Sequence, residues 1–165
     1  MPSVIFICTA NICRSPMAEA IFRSKLIGRE DADVWRVASA GVLGMDGYPA
    51  SSGGQAALSK MGLDLSGHKA QSATRGLLER FNLILVMERG HQAVLIAELP
   101  ELSERIHLLS EMAGMRLDVR DPIGGNAADY EDTAMELDQI LDKGFDEIVR
   151  LARGRVQGNK GEVTQ

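Results

Sequence analysis

The amino-acid sequence predicts one α/β domain built as a three-layer sandwich, in which a four-stranded parallel sheet lies between helices on both faces. Short runs of β-branched and aliphatic residues alternate along the chain with segments whose apolar residues recur at helical spacing. The 165 residues fit a single domain, and a hydrophobic content of 45% is enough for a full core. Strands that alternate with helices are joined in parallel by right-handed crossovers.

The first strand and the first helix flank the most distinctive stretch of the sequence, which reads VIFICTANICRSPMAEA from Val4 to Ala20. Its first four residues are all apolar, which is typical of a strand buried on both faces. Ser15 and Pro16 then predict a helix start, with Ser as the cap and Pro at the first helical position. Apolar residues at helical spacing continue this helix as far as Leu26.

The later elements follow the same alternation. Residue patterns predict strands at 34–40, 82–88 and 105–110, and helices at 55–61, 74–80, 89–99 and 127–152. The segment 41–54 is rich in Gly, Pro and Ser, so we expect a loop there, at the sheet edge where the first strand ends. The domain is expected to span residues 1–153, followed by a flexible tail at 154–165.

The loop between the first strand and the first helix has the chemistry of an anion site. Backbone N–H groups at a helix N-terminus lack partners inside the helix, and the helix dipole adds positive partial charge there. Cys8 ends the strand at the edge where open α/β sheets bind ligands, and this charge favours its thiolate form. Arg14 offers a planar fork that matches two phosphate oxygens. The pattern therefore favours a cysteine nucleophile that attacks phosphorus.

Two other interpretations of this loop explain less. A Walker-type phosphate loop needs a pattern of glycines followed by Lys and Ser or Thr, which the sequence lacks. If Cys8 were an ordinary buried thiol, its spacing from Arg14, and the position of both residues between a buried strand and a helix, would have no role.

The segment CTANICRSPMAEA closely resembles the signature of the low-molecular-weight protein tyrosine phosphatases. The triplets Ser39-Ala40-Gly41 and Gly67-His68-Lys69 and the pair Asp121-Pro122 continue this likeness, in the same order, through nearly the whole chain. The resemblance implies a flavodoxin-like fold and hydrolysis through a phosphocysteine intermediate, without a metal ion or another cofactor.

The resemblance also implies a role for each matching residue. Cys8 would be the nucleophile, Arg14 the phosphate clamp, and Ser15 the donor of a hydrogen bond to the thiolate. The phosphate-binding loop would comprise Thr9, Ala10, Asn11, Ile12, Cys13 and Ser15. The polar network that holds this loop in a strained shape would be formed by Asn11, Ser39 and His68.

The sequence departs from the family pattern at two places. The family usually has glycine where this chain has Ala10, so a conformation that glycine prefers would strain the loop. The family also has an aromatic wall beside the phosphotyrosine ring, and by position it falls at 43–45, where no aromatic residue stands. Tyr48 is the nearby aromatic residue, so we expect weaker stacking on the substrate ring.

Asp121-Pro122 supplies the candidate general acid. Cleavage of a phosphate ester needs a proton for the departing oxygen, and a positioned carboxylic acid can donate it. Proline fixes its own backbone and restricts the residue before it, so Asp121 lies in a stiff loop. From the residues alone, a plain Asp-Pro turn is an equal interpretation. The resemblance implies that Asp121 is the general acid and then the general base for water, with Asp118 as the alternative.

Two signals on substrate preference conflict. Gly124-Gly125 resembles the bacterial branch that includes protein arginine phosphatases, in which a Thr in the loop helps select phosphoarginine. The matching residue here is Ile12, as in the phosphotyrosine enzymes, and its apolar side chain has no hydroxyl group. We give Ile12 more weight because it would lie beside the reacting phosphate. Protein phosphotyrosine is therefore the predicted substrate, and phosphoarginine is the alternative.

Two further functions are less favoured. Thioredoxin-coupled arsenate reduction uses a similar loop but passes the oxidation to downstream cysteines, and no cysteine follows Cys13. An oxyanion-binding module with a decayed site would not retain Cys8, Arg14 and Asp121 together. Cys13 is expected to pack beneath the loop, and capture of an oxidised Cys8 as a disulfide is a second hypothesis for it.

Composition limits the partners and the cellular setting. A net charge of −5 gives no basic character for nucleic acid, and no apolar run reaches the length of a membrane span. No charged leader precedes the first strand, and both cysteines lie in one loop, which favours the reducing cytoplasm. No cluster of His, Cys and Asp has metal-ligand spacing. We expect a monomer or a weak homodimer that acts on phosphorylated protein.

Overall fold

A computed structural model describes residues 1–154 of the chain. Its centre is one parallel four-stranded sheet in the order β2-β1-β3-β4. The strands are β1 (Ser3–Cys8), β2 (Arg36–Gly41), β3 (Leu83–Val86) and β4 (Ile106–Leu108). The predicted four-stranded parallel sheet is confirmed, and its strand order is that of a flavodoxin-like fold. The tail predicted at 154–165 lies, beyond Gly154, outside the described residues.

Helices cover both faces of the sheet. They are α1 (Arg14–Leu26), α2 (Ser52–Lys60), α3 (Arg75–Leu78), α4 (Arg89–Glu98), α5 (Ala127–Lys143) and α6 (Phe145–Ala152). Val4 and Phe6 of β1 pack in a core with α1, α2, α5 and α6, whereas Ile5 and Ile7 pack in a second core with α3 and α4. Successive strand residues point to opposite faces, so β1 contributes to both cores and is buried throughout.

The carboxyl ends of the strands meet at one edge of the sheet. Cys8 aligns with Gly41 at the end of the β1–β2 pair, and Ile7 aligns with Val86 at the end of the β1–β3 pair. The loop at 41–54 starts at this edge, as predicted, and its backbone bonds to the loop after β1. Open α/β sheets bind their ligands at this edge, so we expect the functional site there.

Helix α1 begins at Arg14, before the predicted cap. The cap residue is Cys13, whose carbonyl oxygen accepts the N–H of Met17 at 3.1 Å. The hydroxyl group of Ser15 is not a cap, because it bonds within the loop, 2.8 Å from Nδ2 of Asn11. Pro16 still lies in the first helical turn, where the missing N–H costs no bond inside the helix.

The single helix predicted at 127–152 is two helices. Helix α5 ends at Lys143 and α6 begins at Phe145, with Gly144 between them. A Cβ atom on Gly144 would lie 2.7 Å from Cβ of Met112, so the backbone there packs directly against the segment 109–113. This segment forms a 3₁₀ helix, which ends β4 earlier than the predicted strand at 105–110.

Other differences from the prediction are at element boundaries. A 3₁₀ turn at Ala32–Val34 delays the start of β2. Helix α2 starts at Ser52 instead of residue 55, because Ser51 caps it by accepting the N–H of Gly54 at 3.2 Å. Among the helices of residues 1–154, none combines the length and the apolar character that crossing a membrane requires.

Candidate active site

The loop between β1 and α1 turns its carbonyl groups outward. The carbonyl oxygens of residues 8–12 all accept hydrogen bonds from outside the loop. The donors, at 2.7–3.0 Å, are the N–H groups of Val42, Leu43, Met45 and Ser51 and the Nε2 atom of His68. In a planar trans peptide the N–H group points away from the carbonyl to which it is joined. The N–H groups of residues 9–13 therefore face the concave side of the loop, where they form an anion cradle.

Gly41 allows the second segment to approach the cradle this closely. A Cβ atom on Gly41 would lie 2.5 Å from the carbonyl oxygen of Thr9 and 2.8 Å from the backbone nitrogen of Asn11. Both neighbours are backbone atoms, which cannot move aside as the end of a flexible side chain can. Any larger residue at position 41 would therefore displace the loop that follows Cys8.

The residue of the loop that takes the conformation preferred by glycine is Asn11, so the strain considered for Ala10 falls one residue later. Asn11 has a φ angle of 59°, and it is the one non-glycine residue with a positive φ angle among residues 1–154. Asn tolerates this left-handed conformation better than other non-glycine residues, most of which pay about 1–2 kcal/mol for it. Ala10 lies outside that region.

The side chain of Asn11 holds the loop in place. Its Nδ2 atom donates to Oγ of Ser15 at 2.8 Å and to Oγ of Ser39 at 2.9 Å. Its Oδ1 atom accepts the backbone N–H of Gln71 at 2.9 Å, and Nε2 of His68 donates to its carbonyl oxygen at 2.7 Å. The structure thus brings together Asn11, Ser39 and His68, the three residues predicted for the supporting network.

Cys8 lies at the start of the cradle, beside Ser15. Its Sγ atom is 3.0 Å from Oγ of Ser15, and the residue is only 3% exposed. Oγ of Ser15 also lies 3.3 Å from the carbonyl oxygen of Ala40. A hydroxyl group has one hydrogen to donate, and a thiolate can only accept. In the thiolate form Ser15 therefore turns its hydrogen toward Cys8, and in the thiol form it can donate to Ala40.

Arg14 is buried at the first turn of α1, only 2% exposed, and its guanidinium group is held on both sides. Nη1 donates to the carbonyl oxygen of Val119 at 2.9 Å and lies 3.0 Å from Oε1 of Glu88. Nη2 lies 3.3 Å from Oδ2 of Asp121 and 3.4 Å from Oγ1 of Thr9. The shorter contacts fix Nη1, and the longer ones leave Nη2 as the nitrogen that an incoming phosphoryl oxygen can take.

Asp121 reaches the site, whereas Asp118 bonds elsewhere. Oδ1 of Asp121 accepts the N–H of Ile123 at 3.1 Å, which leaves Oδ2 facing Arg14. The carboxylate of Asp118 accepts the backbone N–H of Arg89 at 2.8 Å, and this hydrogen bond is the main cause that lowers the pKa of Asp118. A carboxyl group kept ionised in this way is a poor proton donor, so the geometry favours Asp121.

The backbone of the loop after Asp121 requires glycine at both Gly124 and Gly125. Gly124 has a φ angle of 83°, and a Cβ atom on Gly125 would lie 2.3 Å from Oδ2 of Asp129. Asp129 is tied there because it forms the cap of α5 with Asn126, through hydrogen bonds of 2.8 and 3.1 Å. The two glycines fit the loop after Asp121 to this cap, so they do not by themselves indicate phosphoarginine.

Apolar side chains stand exposed on the segments next to the cradle. Leu43 and Met45, whose N–H groups bond to the loop, are 74% and 38% exposed, and Ile123 beside the candidate acid is 51% exposed. Tyr48, the aromatic residue of this segment, is 57% exposed. Leu43 and Met45 therefore offer aliphatic and thioether surface at 43–45, where the family pattern has an aromatic wall.

Cys13 packs beneath the loop. Its Sγ atom lies 3.7 Å from Sδ of Met17, and burial is the main cause that raises the pKa of Cys13 to about 12. A thiol that stays protonated is a weak nucleophile. This environment supports the packing role over rapid disulfide capture of an oxidised Cys8.

Sequence reasoning missed three residues of the site, which are Glu88, His91 and Val119. Glu88 lies two residues after the end of β3, so a charged residue close behind a buried strand was the available signal for it. His91 lies in the first turn of α4, and its spacing of three residues from Glu88 was the signal there. Val119 contributes a backbone carbonyl, which no side-chain pattern reveals.

The match with known proteins decides the family. The family model described as low molecular weight phosphotyrosine protein phosphatase matches residues 3–153. The chain belongs to this family. As a low molecular weight phosphotyrosine protein phosphatase it is a hydrolase of phosphorylated protein. Among residues 1–154, no group of three or more His, Cys, Asp and Glu side chains is placed to hold a metal ion.

The names of individual relatives of this phosphatase state two different substrates, phosphoarginine and phosphotyrosine. It is 35% identical to the protein-arginine-phosphatase of Bacillus subtilis (strain 168), over 84% of this chain and 91% of the relative. It is 34% identical to the low molecular weight phosphotyrosine protein phosphatase of Homo sapiens, over 78% of this chain and 84% of the relative. The crystal structure of a low molecular weight protein tyrosine phosphatase from T. tengcongensis superposes with a TM-score of 0.81 at 37% identity, covering 89% of this chain and 99% of that one.

Proposed function

We propose that this chain hydrolyses phosphotyrosine on proteins, with Cys8 as the nucleophile, Arg14 as the phosphate clamp and Asp121 as the general acid and base. The observation that carries the proposal is the convergence of these groups on one cradle. Arg14 closes the loop that Cys8 opens, and its Nη2 atom lies 3.3 Å from Oδ2 of Asp121. A nucleophile, a cation and a carboxyl group placed together are what transfer of a phosphoryl group requires.

The first step is attack of the Cys8 thiolate on phosphorus. The inward N–H groups of residues 9–13 and the charge of Arg14 stabilise the thiolate and then the equatorial oxygens of the transition state. The new S–P bond forms as the bond from phosphorus to the phenolic oxygen breaks. Ser15, 3.0 Å from Sγ, donates its hydrogen bond to the thiolate and can return it to Ala40 as the negative charge leaves sulfur.

Asp121 handles the proton in both steps. Phosphoryl oxygens compete with Oδ2 of Asp121 for Nη2 of Arg14, which frees this carboxyl oxygen for the departing group. The hydrogen bond from Ile123 holds Oδ1, so Oδ2 is the oxygen that donates the proton to the phenolate. In the second step the ionised Asp121 takes a proton from the water that attacks the phosphocysteine, and inorganic phosphate leaves.

Ile12 supports phosphotyrosine over phosphoarginine. It is half-buried in the loop itself, and its side chain offers no hydrogen-bonding group to a substrate guanidinium. The exposed apolar side chains of Leu43, Met45 and Ile123 suit an aromatic ring in the same way. Phosphoarginine remains the second candidate, favoured by the likeness to the Bacillus subtilis protein-arginine-phosphatase.

The experiment that tests this proposal compares two phosphopeptides of one sequence. One carries phosphotyrosine and the other phosphoarginine, and a phosphoserine peptide serves as the control for general phosphatase activity. We expect the larger kcat/KM on the phosphotyrosine peptide, measured by phosphate release near neutral pH against enzyme-free blanks. Faster release from the phosphoarginine peptide would overturn the choice of substrate.

Replacing Ile12 by Thr tests which residue sets this preference. We expect the ratio of phosphoarginine to phosphotyrosine kcat/KM to rise about tenfold, because a hydroxyl group in the loop can accept a hydrogen bond from the substrate guanidinium. Ile12→Val, which keeps the β-branched apolar character, is the matched control. An unchanged ratio in Ile12→Thr would show that selectivity does not depend on this position.

Replacing Asp121 by Asn tests the proton donor. We expect kcat on phenyl phosphate to fall by roughly 10²- to 10³-fold, since phenolate needs a proton to leave. The fall should be much smaller on p-nitrophenyl phosphate, whose leaving group departs unprotonated. Asp118→Asn is the control, because that carboxylate bonds to Arg89. If Asp118→Asn showed the dependence on the leaving group instead, the general acid would be Asp118.

A further inference from the structure

His91 is buried next to the candidate active site, although no step of the mechanism uses it. It lies in the first turn of α4 and is only 5% exposed. Its Nε2 atom is 2.9 Å from Oγ1 of Thr9, the residue that follows the nucleophile, and 3.3 Å from Oε2 of Glu88. Glu88 and Thr9 are both neighbours of the Arg14 guanidinium group, at 3.0 and 3.4 Å. His91 therefore contacts two of the groups that surround the phosphate clamp.

The hydrogen bonds of His91 determine where its proton lies. Nδ1 faces the backbone N–H of Glu88 at 3.2 Å, so it accepts a hydrogen bond and carries no hydrogen. The proton of the neutral ring is therefore on Nε2, which donates to Thr9. Burial is the main cause that lowers the pKa of His91, and the charge of Arg14 acts in the same direction, although Glu88, Asp118 and Asp121 oppose it.

The hydroxyl group of Thr9 is thereby left with its own hydrogen to donate. Its oxygen accepts from Nε2 of His91 and from Nη2 of Arg14, which are both donors. Within the part of the chain that the structure describes, these are the two partners of this oxygen. The hydrogen of the hydroxyl group is free for an acceptor that arrives with the substrate, beside the same guanidinium nitrogen that faces Asp121.

We propose that His91 is a positioning residue for phosphate recognition that acts through Thr9. It holds the Thr9 hydroxyl oxygen toward Nη2 of Arg14 and leaves the hydroxyl hydrogen to donate to the phosphoryl oxygen that Nη2 binds. The Thr9 side chain then adds a side-chain donor to the backbone N–H groups of the cradle. This inference rests on the proposed function, because it assigns the phosphoryl group to the cradle at Cys8.

Two substitutions of His91 distinguish the roles of its two ring nitrogen atoms. In His91→Asn the short amide can occupy the place of Nδ1 and accept the N–H of Glu88, but it cannot reach Thr9. In His91→Gln the longer amide can place a donor near the position of Nε2. Thr9→Val removes the hydroxyl group at nearly constant volume, and Thr9→Ser retains it. His107→Asn is the matched control, since that histidine lies in β4 and bonds to the carbonyl of Glu104.

The readouts are the inhibition constant of inorganic phosphate and kcat/KM on a phosphotyrosine peptide. For both Thr9→Val and His91→Asn we expect weaker phosphate inhibition, by about five- to tenfold, the effect of losing one buried hydrogen bond. The double variant should be no worse than the more affected single variant, since both changes remove one interaction. His91→Gln should recover most of the loss that His91→Asn shows, and Thr9→Ser should lose less than Thr9→Val.

Any one of three results would overturn the positioning role. They are unchanged phosphate inhibition in Thr9→Val, additive losses in the double variant, and equal losses in His91→Asn and His91→Gln. If His91→Asn fails to fold, Thr9→Val and Thr9→Ser still test the hydroxyl group without altering α4. Calorimetric titration with inorganic phosphate measures the same contact without turnover. A wild-type chain that binds phosphate but hydrolyses no phosphopeptide would refute the proposed function, and the titrations would still test His91.

Discussion

Replacing Cys8 by Ser is expected to lower kcat on a phosphotyrosine peptide by roughly 10⁴- to 10⁶-fold, as loss of a covalent nucleophile does in other enzymes. A serine hydroxyl is hardly ionised at neutral pH, and the cradle favours an anion at this position. Binding of phosphate should survive, because the N–H groups of residues 9–13 and Arg14 are unchanged. Turnover within a factor of ten of the wild type would refute the phosphocysteine mechanism.

The other cysteine provides the control for this substitution. Cys13→Ser makes the same chemical change five residues further along the chain, at the other end of the same loop. Cys13 is buried against Met17, so we expect a lower melting temperature and turnover that stays within about tenfold of the wild type. If Cys8→Ser and Cys13→Ser both folded and both lost turnover, the effect of Cys8→Ser would come from disruption of the loop and not from loss of the nucleophilic thiol.

Replacing Arg14 by Lys is expected to lower kcat/KM by about 10²- to 10³-fold, even though the positive charge is kept. A lysine has one ammonium group, which cannot hold Val119 and Glu88 on one side and bind a phosphoryl oxygen on the other. The phosphoryl oxygen then loses its contact with Nη2 in the transition state, so kcat should fall as well as the affinity for phosphate. The measurement is steady-state kinetics together with the inhibition constant of inorganic phosphate.

Stability must be followed in this variant because Arg14 is buried. Loss of the fork leaves Glu88 and the carbonyl oxygen of Val119 with weaker partners, which costs about 1–3 kcal/mol of the free energy of unfolding. Arg150→Lys is the matched control on α6, where Arg150 pairs with Glu147 at the surface. Unchanged kcat/KM in a folded Arg14→Lys protein would contradict the assignment of the phosphate clamp.

Local patterns in the sequence were enough for the fold class and for the first half of the site. The buried run at 4–7, followed by Cys8, a polar loop and Arg14, places a thiol and a cation at a helix N-terminus whatever surrounds them. Asp121 could be proposed only through the resemblance, because an Asp-Pro pair is also an ordinary turn. The helix prediction at 127–152 failed at Gly144, where contact with Met112 decides the break and the helical periodicity does not show it.

By itself, then, the sequence determined a parallel α/β sheet, and it predicted the cradle after the first strand with Cys8 and Arg14 at its two ends. Periodicity and chain order are local properties, and these features depend on them. Only the tertiary structure decided how the cradle is held: Arg14 lies between Val119, Glu88 and Asp121, and Thr9 lies beside His91. Those contacts join residues that are far apart in the chain, and they form only when the ends of β1 and β3 bring separate loops to one edge of the sheet.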